Sequence, residues 1–198
     1  MADREVVLGV TGSISAYKAA DVVRRLKERG CAVTCVLTKE AAEFITPLTL
    51  QVLSERRVAM ELFGREESGV IHTELADRAE LLLIAPATAN VIGKLANGIA
   101  DDLLTCIALA TKAPVLIAPA MNVHMYEHPA VQQNLATLKR FGHRFVGPQA
   151  GSLACGYEAM GHVAEVDEIV EAALQILSGG RNPTAFASKP LTSRRSRA

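Results

Sequence analysis

Short apolar runs that have no polar face, each leading into a turn of small residues and then a helical pattern, constrain this chain more than any other feature. Val6-Val7-Leu8-Gly9-Val10 is followed by Thr11-Gly12-Ser13 and then by a helical period over residues 14–29 closed by Gly30. A strand with one face in water alternates apolar and polar residues; an unbroken apolar run must be covered on both sides. Similar runs recur at residues 32–37, 80–85, 114–118 and 144–146. Helical stretches are expected between them, over residues 39–54, 88–110, 127–141 and 165–177, with Pro47 opening a new segment because its ring cannot continue a helix. The prediction is an α/β fold: a doubly wound, mainly parallel sheet with helices on both faces. Ligands of such sheets sit beyond the carboxyl ends of the strands, so the loops after Val10, Leu37, Ala85 and Ala118 are the places to look for chemistry.

Composition narrows the function classes. The 198 residues suit one domain with an appendage. Residues 1–177 should form that domain. Residues 178–198, rich in Gly, Pro, Ser, Thr and Arg, are expected to be disordered and read as a solvated tail, a linker or an Arg-rich binding tail. Five of the 21 basic residues follow the last acidic one, Glu171, which leaves the body with 16 basic against 21 acidic residues. An acidic body with 4% aromatics and no Trp argues against nucleic-acid binding, which needs phosphate neutralisation and stacking platforms. Cys31, Cys35, Cys106 and Cys155 are too few for a disulfide framework and form no zinc-type pair, so no metal is expected. No apolar run reaches the roughly 18 residues of a membrane span, and the start lacks a signal-peptide pattern; the expectation is a cytoplasmic protein.

Three loops carry unusual residues. Gly12-Ser13-Ile14-Ser15 combines small residues, hydroxyls and a helix start, which suits either a phosphate cradle or a tight turn with a Ser cap. Pro86-Ala87-Thr88-Ala89-Asn90 leaves an apolar strand with Thr88 placed to cap the next helix, and Pro119-Ala120-Met121-Asn122 repeats the order of Pro, small residue and Asn. His72 is one of five histidines and, on its own, reads as surface or packing as readily as base. The glycine-rich stretch around Cys155, residues 151–165, has no helix or strand period and reads as a mobile lid or a plain connector.

Together these segments resemble the homo-oligomeric flavin-containing Cys decarboxylases. Pro119-Ala120-Met121-Asn122 with Met125 is similar to the family's PxMNxxMW signature, Pro86 to Asn90 to its PASANT segment, and Gly12-Ser13-Ile14-Ser15-Ala16 to its first flavin-phosphate loop. Ile71-His72-Thr73-Glu74-Leu75 resembles the active-site histidine segment. Ala154-Cys155-Gly156 resembles the thiol-bearing flap of the members that act on phosphopantothenoylcysteine in coenzyme A synthesis. The resemblance covers residues 5–177 and implies an FMN enzyme built from trimers, with sites between subunits. It implies FMN contacts at Gly12, Ser13, Ser15, Thr38, Pro86, Ala87, Thr88, Ala89 and Asn90, substrate contacts at Ala120, Met121 and Asn122, and catalytic roles for His72 and Cys155. Two departures stand out: Tyr126 replaces the signature Trp, and His162-Val163 stands where bacterial members often carry Arg-Met.

The implied reaction suits these groups. Decarboxylation next to a cysteine needs an electron sink, which oxidation of the substrate thiol to a thioaldehyde provides. A flavin can accept that hydride and return it after an enethiolate has formed. An imidazole at His72 would exchange the thiol proton near neutrality, the amide of Asn122 would orient the carboxyl end without adding charge, and the Cys155 thiol would protonate the enethiolate. Competing expectations are a peptidyl-cysteine decarboxylase, against which the Cys155 flap argues, and a non-catalytic flavin-binding subunit. A flavin prenyltransferase is a weaker third, since it would not need His72 or the flap thiol.

Overall fold

The computed structural model describes residues 4–63, 70–152 and 158–179. Five strands form one parallel sheet: β1 (Arg4–Val10), β2 (Cys31–Leu37), β3 (Leu81–Ala87), β4 (Val115–Pro119) and β5 (Arg144–Phe145), in the order β2-β1-β3-β4-β5. Every residue of β2, β3 and β4 is buried, as unbroken apolar runs require. Alternate residues serve opposite faces. Val6, Leu8, Val10, Leu81 and Leu83 pack with α1 (Lys18–Glu28), α2 (Pro47–Ser54) and α8 (Val166–Leu177). Val7, Leu82, Ile84, Val115 and Ile117 pack with α3 (Ile71–Arg78), α4 (Ala89–Ala96), α5 (Leu103–Ala110) and α7 (Pro129–Arg140). The doubly wound architecture is therefore as expected, and the chain leaving β1 goes to one face while the chain leaving β3, its neighbour, goes to the other. That divergence opens a crevice at the switch point between β1 and β3.

Several local expectations are corrected. The helical stretch at 88–110 is two helices, because Gly98 adopts φ +67 and Asp102 then starts α5 with a capping box in which it and Thr105 bond each other's backbone N–H. The apolar face of α5 is used within the chain: Leu103, Leu104 and Ile107 are buried on the sheet, and Leu109 alone of its large apolar residues is exposed. The glycine-rich stretch contains an antiparallel hairpin, β6 (Gln149–Ser152) with β7 (Glu158–His162). A short helix, α6 (Val123–Glu127), precedes α7, whose Pro129 fits the first turn. The His72 segment is helical, lying in the first turn of α3. Pro47 does open α2, and a separate 3-10 turn (Lys39–Glu43) precedes it. Among the described residues no helix is long and apolar enough to cross a membrane. Cys155 and residues 180–198 lie outside the described residues.

Candidate active site

The crevice between the β1 and β3 loops widens into a cleft of about 460 Å³. Of the residues singled out from sequence, Gly12, Ser13, Ser15, Thr38, Thr88, Ala89, Asn90, Ala120, Met121 and Asn122 all line it. Pro86 and Ala87 lie behind the wall, where the Pro86 carbonyl accepts the Thr11 hydroxyl and the Ala87 carbonyl accepts the Ala120 N–H. His72 does not line this chain's cleft, and Cys155 lies outside the described residues.

Five helix or 3-10 starts converge on the cleft, and each carries a capping side chain on its lining. Ser13 Oγ accepts Ser15 N–H at 3.3 Å, Thr38 Oγ1 accepts Ala41 N–H at 3.3 Å, and Thr88 Oγ1 accepts Val91 N–H at 3.4 Å. Asp102 Oδ1 accepts Thr105 N–H at 2.8 Å and Asn122 Oδ1 accepts His124 N–H at 2.8 Å. A cap satisfies one of the donors at a helix start and leaves others facing outward with partial positive charge. The Ser15 hydroxyl, largely buried on the cleft wall, makes no hydrogen bond of its own within the described chain. This donor-rich set, gathered around the Gly12 turn, fits a phosphate-bearing ligand. Gly12 is required there by packing, since an added Cβ would sit 2.5 Å from Glu40 Cβ.

Farther along the cleft, Lys94 lies one helical turn beyond Asn90. Its ammonium meets Asp101 at 2.7 Å and Asp102 at 2.9 Å. Hydrogen bonds to Asp101 and Asp102 raise the Lys94 pKa. Burial works against the Asp102 carboxylate, but the hydrogen bonds from Lys94 and Thr105 outweigh it and hold the carboxyl below its usual range. Both groups therefore stay ionised through the neutral range and act as fixed charges rather than as proton carriers. Sequence reasoning gave no role to Lys94, Asp102 or Thr11; the spacing of Asn90 and Lys94 on one helix face was the available signal for Lys94. Among the described residues no cluster of His, Cys, Asp or Glu is arranged to hold a metal. Burial pushes the Cys35 thiol up to about 12 and raises that of Cys106, helped there by Asp102 and Asp101, so neither is a nucleophile at neutral pH.

The turn from Ala120 to Asn122 forms another wall of the cleft. Met121 N–H donates to Gly161 O at 3.0 Å, which places β7 directly against this turn, and Gly161 and His162 complete the lining. The bond from His124 N–H to Asn122 Oδ1 orients the amide, so Asn122 serves as a helix cap as well as a cleft group.

Several known proteins are similar to this chain in sequence or in fold. The chain is 49% identical over 172 residues to a Bacillus subtilis (strain 168) coenzyme A biosynthesis bifunctional protein, covering 86% of this chain and 42% of that one. It thus spans less than half the length of the bifunctional relatives. A probable phosphopantothenoylcysteine decarboxylase of Streptococcus mutans is 44% identical over 171 residues, 85% of this chain and 96% of the relative. Among solved structures, a cysteine-to-serine mutant of PPC decarboxylase complexed with pantothenoylaminoethenethiol superposes with a TM-score of 0.80 at 30% identity, covering 89% of this chain and all of that one. The FMN-dependent cysteine decarboxylase SpaF superposes with a TM-score of 0.79 at 32% identity, covering 90% and 99% of the two chains. The Flavoprotein family's sequence profile matches residues 1–178, and with the switch-point cleft lined by seven of the nine residues that the flavin resemblance marks, the chain belongs to the Flavoprotein family.

Proposed function

We propose that this chain is an FMN-dependent carboxy-lyase that converts phosphopantothenoylcysteine to phosphopantetheine in coenzyme A synthesis. The observation that carries the reading is the match to the Streptococcus mutans relative, which this chain covers at 96% of its length. The cleft supports it. The Gly12 to Ser15 turn, Thr38 and the Pro86 to Asn90 segment would hold FMN, with the phosphate at the Gly12 turn. When bound, FMN supplies a hydride acceptor and donor, which lets the substrate cysteine be oxidised and later reduced within one cycle. Ala120 and Met121 form the wall against which the substrate lies, and Asn122 orients its carboxyl end. His72 manages the thiol proton, and Cys155 delivers a proton to the enethiolate after carbon dioxide has left.

His72, which does not line the cleft of its own chain, would act in the cleft of a neighbouring subunit, as the family resemblance implies. The working assembly is a homo-oligomer built from trimers, in the cytoplasm. The test is direct. Purified protein should carry FMN and release carbon dioxide from phosphopantothenoylcysteine, but not from a peptide ending in cysteine. Turnover of the peptide alone would replace this reading with peptide modification, and tight FMN binding with neither turnover would make the chain a flavin-binding subunit.

A further inference from the structure

Thr11 sits at the switch point, 1% exposed, between the two loops that diverge to opposite faces of the sheet. Its hydroxyl donates to Pro86 O at 2.7 Å and accepts from Thr88 N–H at 3.0 Å. Both directions are forced, because a carbonyl can only accept and an amide can only donate, so the single hydroxyl proton has one place to go. The Thr11 backbone closes the same gap: its N–H donates to Pro86 O at 3.3 Å, and its carbonyl accepts Ser13 N–H at 2.8 Å inside the Gly12 turn.

We propose that Thr11 is the positioning residue that holds the phosphate turn at Gly12 in register with the β3 loop around Thr88. The inference rests on the FMN reading above. The chain of bonds continues across the cleft floor, from Ala87 O to Ala120 N–H at 2.9 Å and from Met121 N–H to Gly161 O. Those later links join backbone to backbone, whereas the Thr11 link runs through a side chain that substitution can remove. Thr88 N–H also lies at the start of α4, where an unpaired amide would otherwise turn toward a ligand or water. Thr11 thus decides which donors of the β3 loop face FMN and how far that loop stands from the Gly12 turn.

The test compares Thr11→Val, which keeps the shape and removes the hydroxyl, with Thr11→Ser, which keeps the hydroxyl and removes the methyl. Fluorescence quenching on titration with FMN gives affinity, visible circular dichroism of the bound flavin reports its surroundings, and thermal unfolding of FMN-free protein reports stability. Thr11→Val should raise the FMN dissociation constant about 10- to 100-fold, because the donors of the two loops are no longer held in register before FMN arrives. It should also change the flavin dichroism, while Thr11→Ser stays within about threefold of the parent. A Val variant that binds FMN with parental affinity and dichroism overturns the assignment, as does a Ser variant that behaves like Val. A parent chain that binds no FMN removes the flavin reading and this assignment with it, whereas a binding parent with an equally binding Val variant removes the assignment alone. If the Val variant does not fold, hydrogen exchange of the parent decides: the Thr88 amide should be protected without FMN, and rapid exchange there overturns the proposal.

Discussion

Gly161→Ala should separate FMN binding from turnover. Gly161 adopts φ +153, a conformation that side chains rarely accept, and holding another residue there costs about 1–3 kcal/mol. Space is the sharper constraint. An added Cβ would stand 2.3 Å from the Met121 carbonyl oxygen and 3.4 Å from Val123 N. The obstacle is backbone, so it cannot be relieved by turning a flexible side chain. Carbon and carbonyl oxygen approach no closer than about 3.3 Å in ordinary weak contacts, so β7 and the Met121 turn must part by about 1 Å. That movement stretches the 3.0 Å bond between Met121 N–H and Gly161 O and shifts Asn122, the next residue. A misplacement of about 1 Å in a positioning group can lower turnover about 10²-fold. The assay is carbon dioxide release from phosphopantothenoylcysteine, with flavin content followed by visible absorbance. The expected result is a protein that still carries FMN and has kcat/KM reduced about 10²-fold. Parental kcat/KM in a folded variant would show that β7 does not set the position of the Asn122 turn, and the argument would fail.

Three other outcomes follow from particular contacts. Arg56, hydrogen-bonded to Glu5 at 2.6 and 2.9 Å and assisted by Arg78, holds the Glu5 carboxyl below its usual range despite partial burial. This contribution is complete above the ordinary carboxylate range and is lost as pH falls through the folded-state value; Glu5→Gln should cost about 1 kcal/mol in urea unfolding near neutrality and nothing in strong acid, and a pH-independent difference would refute the pairing. His72→Asn and Asn122→Asp should each be inactive yet yellow, and oligomers mixed from the two should regain activity if neighbouring chains share a site; no recovery in verified mixed oligomers would refute the shared site, and a His72→Asn variant with parental turnover would place His72 outside the mechanism. Cys155→Ser should still release carbon dioxide but accumulate an enethiol lacking two hydrogens relative to the thiol product, detectable by mass, whereas normal product at the parental rate would remove the thiol from its proposed role.

The sheet was legible because its strands are buried on both faces, which makes each a contiguous apolar word. The ends shifted by a residue or two, as at β3, where the run continues through Pro86 to Ala87. The break between α4 and α5 was harder to see, since a glycine with positive φ and an aspartate cap interrupt the helix without any proline to mark the place. The β6–β7 hairpin gave no signal because neither Gln149–Ser152 nor Glu158–His162 alternates apolar and polar residues along its sequence. Most cleft residues could be named in advance because small and hydroxyl-bearing residues cluster at strand ends. Thr11 could not. It looks like one more turn residue until the partners of its buried hydroxyl, 75 and 77 positions away, are brought beside it.

The walls of the cleft around Gly12 are fixed by contacts within the chain. Gly12 faces Glu40 so closely that the β1 turn can be no bulkier, and Thr38, which caps the 3-10 turn bearing Glu40, bonds through its N–H to Val10 O at 3.1 Å. The β2 loop thus fixes one side of the Gly12 turn while Thr11 fixes the other against Pro86 and Thr88. The Asp102 carboxylate does not cancel the helix-start donors that result, because it is committed to Lys94 and to the capping box of α5. An anion entering at Gly12 therefore meets backbone donors already held in place, and little of its binding energy is spent on ordering the loops that receive it.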